Sequence, residues 1–439
     1  MIKMTETGVH NHLMKMEQNG EAIHEEEKKE YEEFTIRESP LTTLLDTINI
    51  GLSVVVAGFG DIRRGFALWV YEFFVSMSLY PLLIVYSWIG TISRKNPALR
   101  PTVVTLGVAG VLALEVALVA VPVFELTRKR LEIASATTVT CEMFRFMMKL
   151  VAIASACGPR CLNGNKPLPT FKQFIYFMFA PTLLYRDQYP RTKKIRWGVV
   201  VFHLLEIAAI IFYNTFVWER FLKPHWFDYG KSKTVEVGAI VRGIYACVLP
   251  GLFSWTCGFY CTMHAWLNAC AEVLKFGDRQ FYKDWWTKSR FSEYYRNWNR
   301  VVHLWFRDHI YLPLVPYVGR PLATFTIFFV SALAHEIIIS LCLGFFYPVL
   351  LVEFGVLGVL MIPVSATAGR RFPNFFNVIL WSSFFIGNGM LWSFYPMEFF
   401  ARRNCPPSEN DSFFIPKSWT CPEVILKPNW TFQNPLRIF

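Results

Sequence analysis

Within an apolar stretch at residues 321–345, the run Ser331-Ala332-Leu333-Ala334-His335-Glu336 sets an imidazole and a carboxylate among Ile, Leu and Phe. Ionisable side chains at membrane depth are costly and mark functional sites by default. A neutral histidine suits general-base chemistry, because its unperturbed pKa of about 6.5 lies near working pH. The plainer alternative is a structural histidine satisfied by a neighbouring helix. A second segment with chemical potential precedes it: Phe281-Tyr282-Lys283-Asp284-Trp285-Trp286, then Tyr294-Tyr295-Arg296-Asn297-Trp298-Asn299 and His303. Arg296, Asn299 and His303 recur at spacings of three and four, which predicts that they share one helix face. An Asn amide can hold a thioester carbonyl or its oxyanion, and an Arg can hold phosphate. Read plainly, the same Trp and Tyr content is the belt of a membrane-interface helix.

The elements that must position these groups are membrane helices. The chain is 53% hydrophobic and 18% charged, against about 25% charged in a soluble domain. Its 439 residues could hold two or three soluble domains, but repeated apolar runs of about 20 residues predict one helical membrane domain instead. Spans are predicted at 66–92, 103–124, 134–156, 197–218, 237–270, 321–345, 346–364 and 374–399. The stretch 48–59 contains Asn49 and falls short of the roughly 20 residues that a crossing needs. The fold class is therefore all-α, a polytopic domain over residues 41–400 with about eight or nine transmembrane helices. The ten-residue alternation of an outer-membrane barrel is absent. Residues 1–40, rich in Glu and Lys, form a polar arm, disordered or a single solvated helix, with no signal-peptide core.

The net charge of +11 is spread in clusters between apolar runs, not along one basic face. No nucleic-acid-binding module is visible, and nucleic acid is not an expected partner. Residues 159–196 carry eight Lys or Arg against the single acid Asp187, and 275–320 are similarly basic. Both are expected on the cytosolic side. Counting spans then puts the tail, residues 401–439, in the lumen. Cys405 and Cys421 flank a polar loop in that tail, beside the sequons Asn410-Asp411-Ser412 and Asn429-Trp430-Thr431, which suits an oxidising compartment and a disulfide. No C-x-x-C spacing suggests zinc, and no metal ligand set is expected. No pair of Gly/Pro-broken spans recurs in matching halves, which argues against a transporter.

FYKDWW, followed by YYRNWNRVVHLW and then by the apolar His335-Glu336, resembles the membrane-bound O-acyltransferase superfamily, in its sterol and diacylglycerol acyltransferase branch. The segment 180–192, APTLLYRDQYPRT, is similar to the sterol members in particular, since the RDQYPRT half is not shared by the diacylglycerol enzymes. Glu142, Arg145 and Lys149 in CEMFRFMMK, FGDRQ before FYKDWW, and ARRNCP with WTC in the tail extend the match over about residues 60–425.

The resemblance implies that His335 is the catalytic histidine and Asn299 its partner, with Tyr295, Arg296, Tyr311, Arg320 and Ser331 lining an acyl-CoA site. It implies a Cys405–Cys421 disulfide, and Phe281, Tyr282, Asp284, Trp285, Trp286 and His303 as motif positions. It implies esterification of a membrane sterol's 3β-hydroxyl from acyl-CoA as co-substrate, without a further cofactor, in the endoplasmic-reticulum membrane and as a homo-oligomer, dimer or tetramer. Thr287, Glu293 and Ile337 depart from the family's usual Asn, Asn and Tyr. Those departures and the short first span keep two alternatives open, a diacylglycerol acyltransferase and a catalytically silent sterol-binding scaffold.

Overall fold

Most of the helices are long runs of Leu, Val, Ile and Phe, which must satisfy every backbone polar group within the segment wherever lipid surrounds them. The structure, a computed structural model, describes residues 58–408 and 411–425. The polar arm, most of the stretch 48–59, Asn410 and the sequon at 429–431 lie outside the described residues. In chain order the helices are α1 (Ile62–Met77), α2 (Leu79–Lys95), α3 (Arg100–Arg128), α4 (Ile133–Asn163), α5 (Phe171–Phe179), α6 (Trp197–Val217), α7 (Val237–Phe259), α8 (Leu267–Val273), α9 (Phe291–Trp298), α10 (Arg300–Phe306), α11 (Leu312–Leu343), α12 (Val349–Val352), α13 (Val359–Arg371) and α14 (Pro373–Asn404). Among the described residues the strands are β1 (Thr234–Glu236) and β2 (Glu423–Ile425), a parallel pair.

Seven helical runs among the described residues are long and apolar enough to cross a membrane. They take in all the predicted spans except 134–156. That span is α4, 31 residues long but carrying Glu142, Arg145 and Lys149 on its inner side. Packed by α1, α2, α3 and α11, α4 is the centre of one half of the bundle, where Phe146, Leu150 and Ile153 meet Leu79, Leu118, Phe174 and Phe177.

Lipid tails are as apolar as leucine, so close packing and polar links, more than hydrophobic burial, hold such helices together. Glu142 accepts from Trp69 Nε1 on α1 at 2.9 Å and from Arg145 Nε at 2.6 Å. Arg145 also donates to Met178 O at 2.7 Å. The fully buried Lys149 donates to Ala180 O at 2.8 Å and to Phe177 O. Two cations thus satisfy the orphan carbonyls at the end of α5, where the helix dipole favours positive charge. At its other end α5 begins in a capping box between Thr170 and Gln173.

In the other half α7 lies against α14. A Cβ on Gly251 would stand 2.6 Å from Trp392, and one on Gly389 would stand 2.7 Å from Val248. The two glycines let the backbones approach. After α14 the tail folds back: the Glu398 carboxylate accepts from Lys417 N and Ser418 N at 2.9 and 2.8 Å, and Cys405 and Cys421 are bridged.

The predicted basic loop 275–320 is largely helical. Its basic residues are interspersed with apolar ones in an amphipathic pattern, which hydropathy alone does not register as a helix. α10, a π-helical turn at Arg307–Tyr311 and α11 continue as one run, Arg300–Leu343. Gly319 bends that run with φ 77° and ψ 168°, a combination essentially confined to glycine. The predicted span 321–345 is the part beyond this corner, and Gly344 ends it in the left-handed conformation.

Candidate active site

The site is built where α9 and α11 meet the run Val349–Arg371, which comprises α12, a π-helical turn at Glu353–Gly358, and α13. His335 lies two turns before the end of α11. Its Nδ1 is 2.7 Å from the Ser331 carbonyl. A carbonyl only accepts, so the bond fixes the proton on Nδ1 and leaves the Nε2 lone pair as a base. The ring lies deep in the helical bundle and is nonetheless exposed, so it borders open space. Phe354 meets the imidazole edge to face at 6.0 Å.

Tyr295 joins the same wall. Its ring packs on Phe328 at 4.6 Å and on Phe354 at 5.4 Å. Burial pushes its phenol up, so it is a neutral hydroxyl. A Cβ on Gly358 would meet that hydroxyl at 2.3 Å, and one on Gly355 would meet Ala332 at 3.1 Å. Small residues therefore seat the run Val349–Arg371 against both α9 and α11. Phe354 was not legible as a site residue, since it sits in an apolar span; the neighbouring Glu353, an acid at membrane depth, was the available signal.

Asn299 corrects the expectation of one continuous helix face. Its φ of −132° and ψ of 89° end α9 and start α10, and its Oδ1 accepts from Val302 N at 3.1 Å. Asn competes with the backbone for hydrogen bonds and favours such an N-cap. The three residues that were to share a face are split across two helices. The cap has a chemical consequence: it fixes Oδ1 toward the backbone and leaves the Nδ2 donors without a hydrogen bond among the described residues.

The FYKDWW segment holds that break in place. Arg300 N donates to Phe281 O and Lys283 N to Asn297 O, both at 2.9 Å. Phe281 and Trp285 are buried. Trp285 meets Trp298 at 4.8 Å, Trp255 at 5.9 Å and Phe384 at 5.8 Å, tying α9 to α7 and α14. Such pairs each add about 0.5–1.5 kcal/mol beyond area burial. Tyr282 hydrogen-bonds His264 at 2.8 Å, and the Trp286 carbonyl accepts from Asn377 and Trp381. Asp284 accepts from Lys288 at 2.7 Å and from Thr287 at 3.2 Å, so the departure at 287 still serves the loop; Lys288 holds the Asp284 carboxyl below its usual range. These motif side chains make their contacts in the scaffold and not at the imidazole of His335.

Arg296, Arg300 and Arg307 lie near His303, together with the acid Asp308. Arg296 is exposed and makes no hydrogen bond or ion pair among the described residues. Tyr311 closes the π-helical turn, Arg320 follows the Gly319 corner in an exposed position, and Ser331 stands one turn before His335. A cleft of 490 Å³ opens beside Tyr185, Arg186, Arg307 and His309. Tyr185 belongs to the 180–192 segment, which is stitched to the start of FGDRQFYKDWW by Gly277 N to Pro190 O at 2.8 Å and Thr192 N to Lys275 O at 2.9 Å. Arg160 pairs with Asp187 in the same segment at 2.7 Å and holds its carboxyl below the usual range.

Residues 103–396 match the sequence profile of the membrane-bound O-acyltransferase family. The chain belongs to that family. Similar proteins include sterol O-acyltransferase 1 of Mus musculus, 37% identical over 313 residues, which are 69% of this chain and 57% of the relative. Sterol O-acyltransferase 2 of Homo sapiens is 34% identical over 395 residues, 87% of this chain and 73% of the relative. The chain thus spans 57% of the length of the mouse relative.

Proposed function

We propose that this protein transfers a fatty acyl group from acyl-CoA to the 3β-hydroxyl of a membrane-dissolved sterol. The observation that carries the reading is the His335 imidazole, held through Nδ1 by the Ser331 carbonyl and exposed within the apolar helical run Arg300–Leu343. The names of the similar proteins supply the acceptor and the chemistry. His335 Nε2 takes the sterol hydroxyl proton as that oxygen attacks the thioester carbon. The Asn299 Nδ2 group holds the carbonyl oxygen as it gains charge. The C–S bond then breaks, and the CoA thiolate takes back the proton from His335. No acyl-enzyme is required. The enclosed site keeps out water that would otherwise hydrolyse the thioester.

Arg296, with Tyr295, Tyr311, Arg320 and Ser331, lines the acyl-CoA path in this reading, and its exposed guanidinium suits a phosphate. The basic segments face the cytosol, where CoA is found, and the disulfide-bridged tail faces the lumen of the endoplasmic reticulum. The protein works as a homo-oligomer in the bilayer. Direct transfer makes a stoichiometric prediction. Reconstituted protein given labelled acyl-CoA without sterol releases no burst of CoA and takes up no label, and added sterol releases CoA one for one with sterol ester. Covalently retained label, or CoA release uncoupled from ester, contradicts the mechanism.

A further inference from the structure

We infer that Glu336 is a positioning residue for His335 and acts through the helix that walls the site; the inference rests on the acyl-transfer reading above. Adjacent residues of a helix point about 100° apart, and the two side chains go to different partners. The Glu336 carboxylate is fully buried. It accepts from Leu351 N at 3.0 Å and from Tyr395 Oη, which lies 3.0 Å from each carboxylate oxygen. Tyr395 Oη in turn accepts from Leu350 N at 3.1 Å.

Leu350 and Leu351 stand at the start of the run Val349–Arg371, where backbone N–H groups have no partner inside the helix. Glu336 and Tyr395 satisfy two of them. A carboxylate there also meets the positive end of the helix dipole. Phe354 stands about one turn after Leu350, in the π-helical turn that continues the same run. Its ring abuts His335, Tyr295 and Phe328. The wall against the imidazole is therefore set by where this helix starts. Apart from that wall, the ring is restrained through Nδ1 to Ser331. A second acid, Glu353, lies on the same run.

The test compares Glu336→Gln, Glu336→Ala, Phe354→Ala and the Glu336→Ala/Phe354→Ala double variant in reconstituted full-length protein. An amide can accept from Leu351 N and donate to Tyr395 Oη, so Glu336→Gln keeps kcat within about threefold and leaves the kcat–pH profile in place. Glu336→Ala lowers kcat on the order of 10²-fold, as a misplacement of about 1 Å does, with KM for acyl-CoA unchanged. Phe354→Ala gives a similar loss, and the double variant loses no more than Glu336→Ala alone, because both act through one wall. A shifted pH profile in Glu336→Gln, or a loss there as large as in the alanine variant, overturns the inference by making the charge itself part of proton transfer. Multiplied losses in the double variant overturn it equally. If Glu336→Ala does not fold, the Gln and Phe354→Ala variants still decide. Failure of the acyl-transfer reading would show separately, as absence of ester from the wild-type protein.

Discussion

Replacing His335 with alanine is expected to abolish ester formation while the protein remains folded and membrane-inserted. Loss of a general base costs about two to four orders of magnitude. The side chain bears little of the packing: it is exposed, and its hydrogen bond is to the carbonyl of its own helix one turn back. Turnover and protein level are measured together in matched membranes. Retention of more than about a tenth of wild-type turnover at equal level removes His335 from the base role, since general-base losses begin at about 10²-fold.

Asn299 separates two roles in a way that alanine alone cannot. Its Oδ1 caps α10 and its Nδ2 is the donor offered to the carbonyl. Asn299→Asp keeps an acceptor for Val302 N and so keeps the cap, yet removes the donor. It is expected to lose about 10²–10³ in kcat, the effect of deleting one oxyanion donor, with a thermal midpoint close to wild type. Asn299→Ala loses the same activity and also the cap, about 1 kcal/mol of helix stability. An active Asn299→Asp enzyme would show that the residue acts as a helix cap and not as a donor. An aspartate variant as unstable as the alanine variant would contradict the cap geometry.

Much of the fold could be read from hydropathy, because in lipid the backbone must satisfy itself and long apolar runs become helices. The exceptions are instructive. α4 read as a span from its apolar residues although it carries Glu142, Arg145 and Lys149; these are satisfied by Trp69 and by the carbonyls at the end of α5, contacts that no local pattern reports. The segment 300–320 was grouped with the basic loop 275–320 because Arg300, Arg307 and Arg320 interrupt its apolar residues, although it is helical up to Gly319. As a candidate, His335 was legible from its polarity within an apolar run. The tautomer was not, because it depends on the Ser331 carbonyl one turn away. The spacing of Arg296, Asn299 and His303 misled, as an asparagine that is three or four residues from its neighbours can also be the residue that ends the helix. Trp285 looked like a motif at the chemistry and is a packing hub for the segment that holds Asn299. Phe354 and Glu336 belong to the wall through tertiary contacts alone.

The reading as a whole rests on what accepts the acyl group. Membranes bearing the protein, supplied with labelled oleoyl-CoA and with cholesterol and diacylglycerol together, are separated into sterol ester and triacylglycerol, with His335→Ala as the blank. A rigid ring system entering a preshaped apolar slot avoids the chain-ordering cost that a flexible diacylglycerol carries. The account predicts sterol ester far in excess of triacylglycerol, and neither above background in the blank. Triacylglycerol as the main product would contradict the sterol assignment, and neither product above the blank would contradict the acyltransferase reading itself.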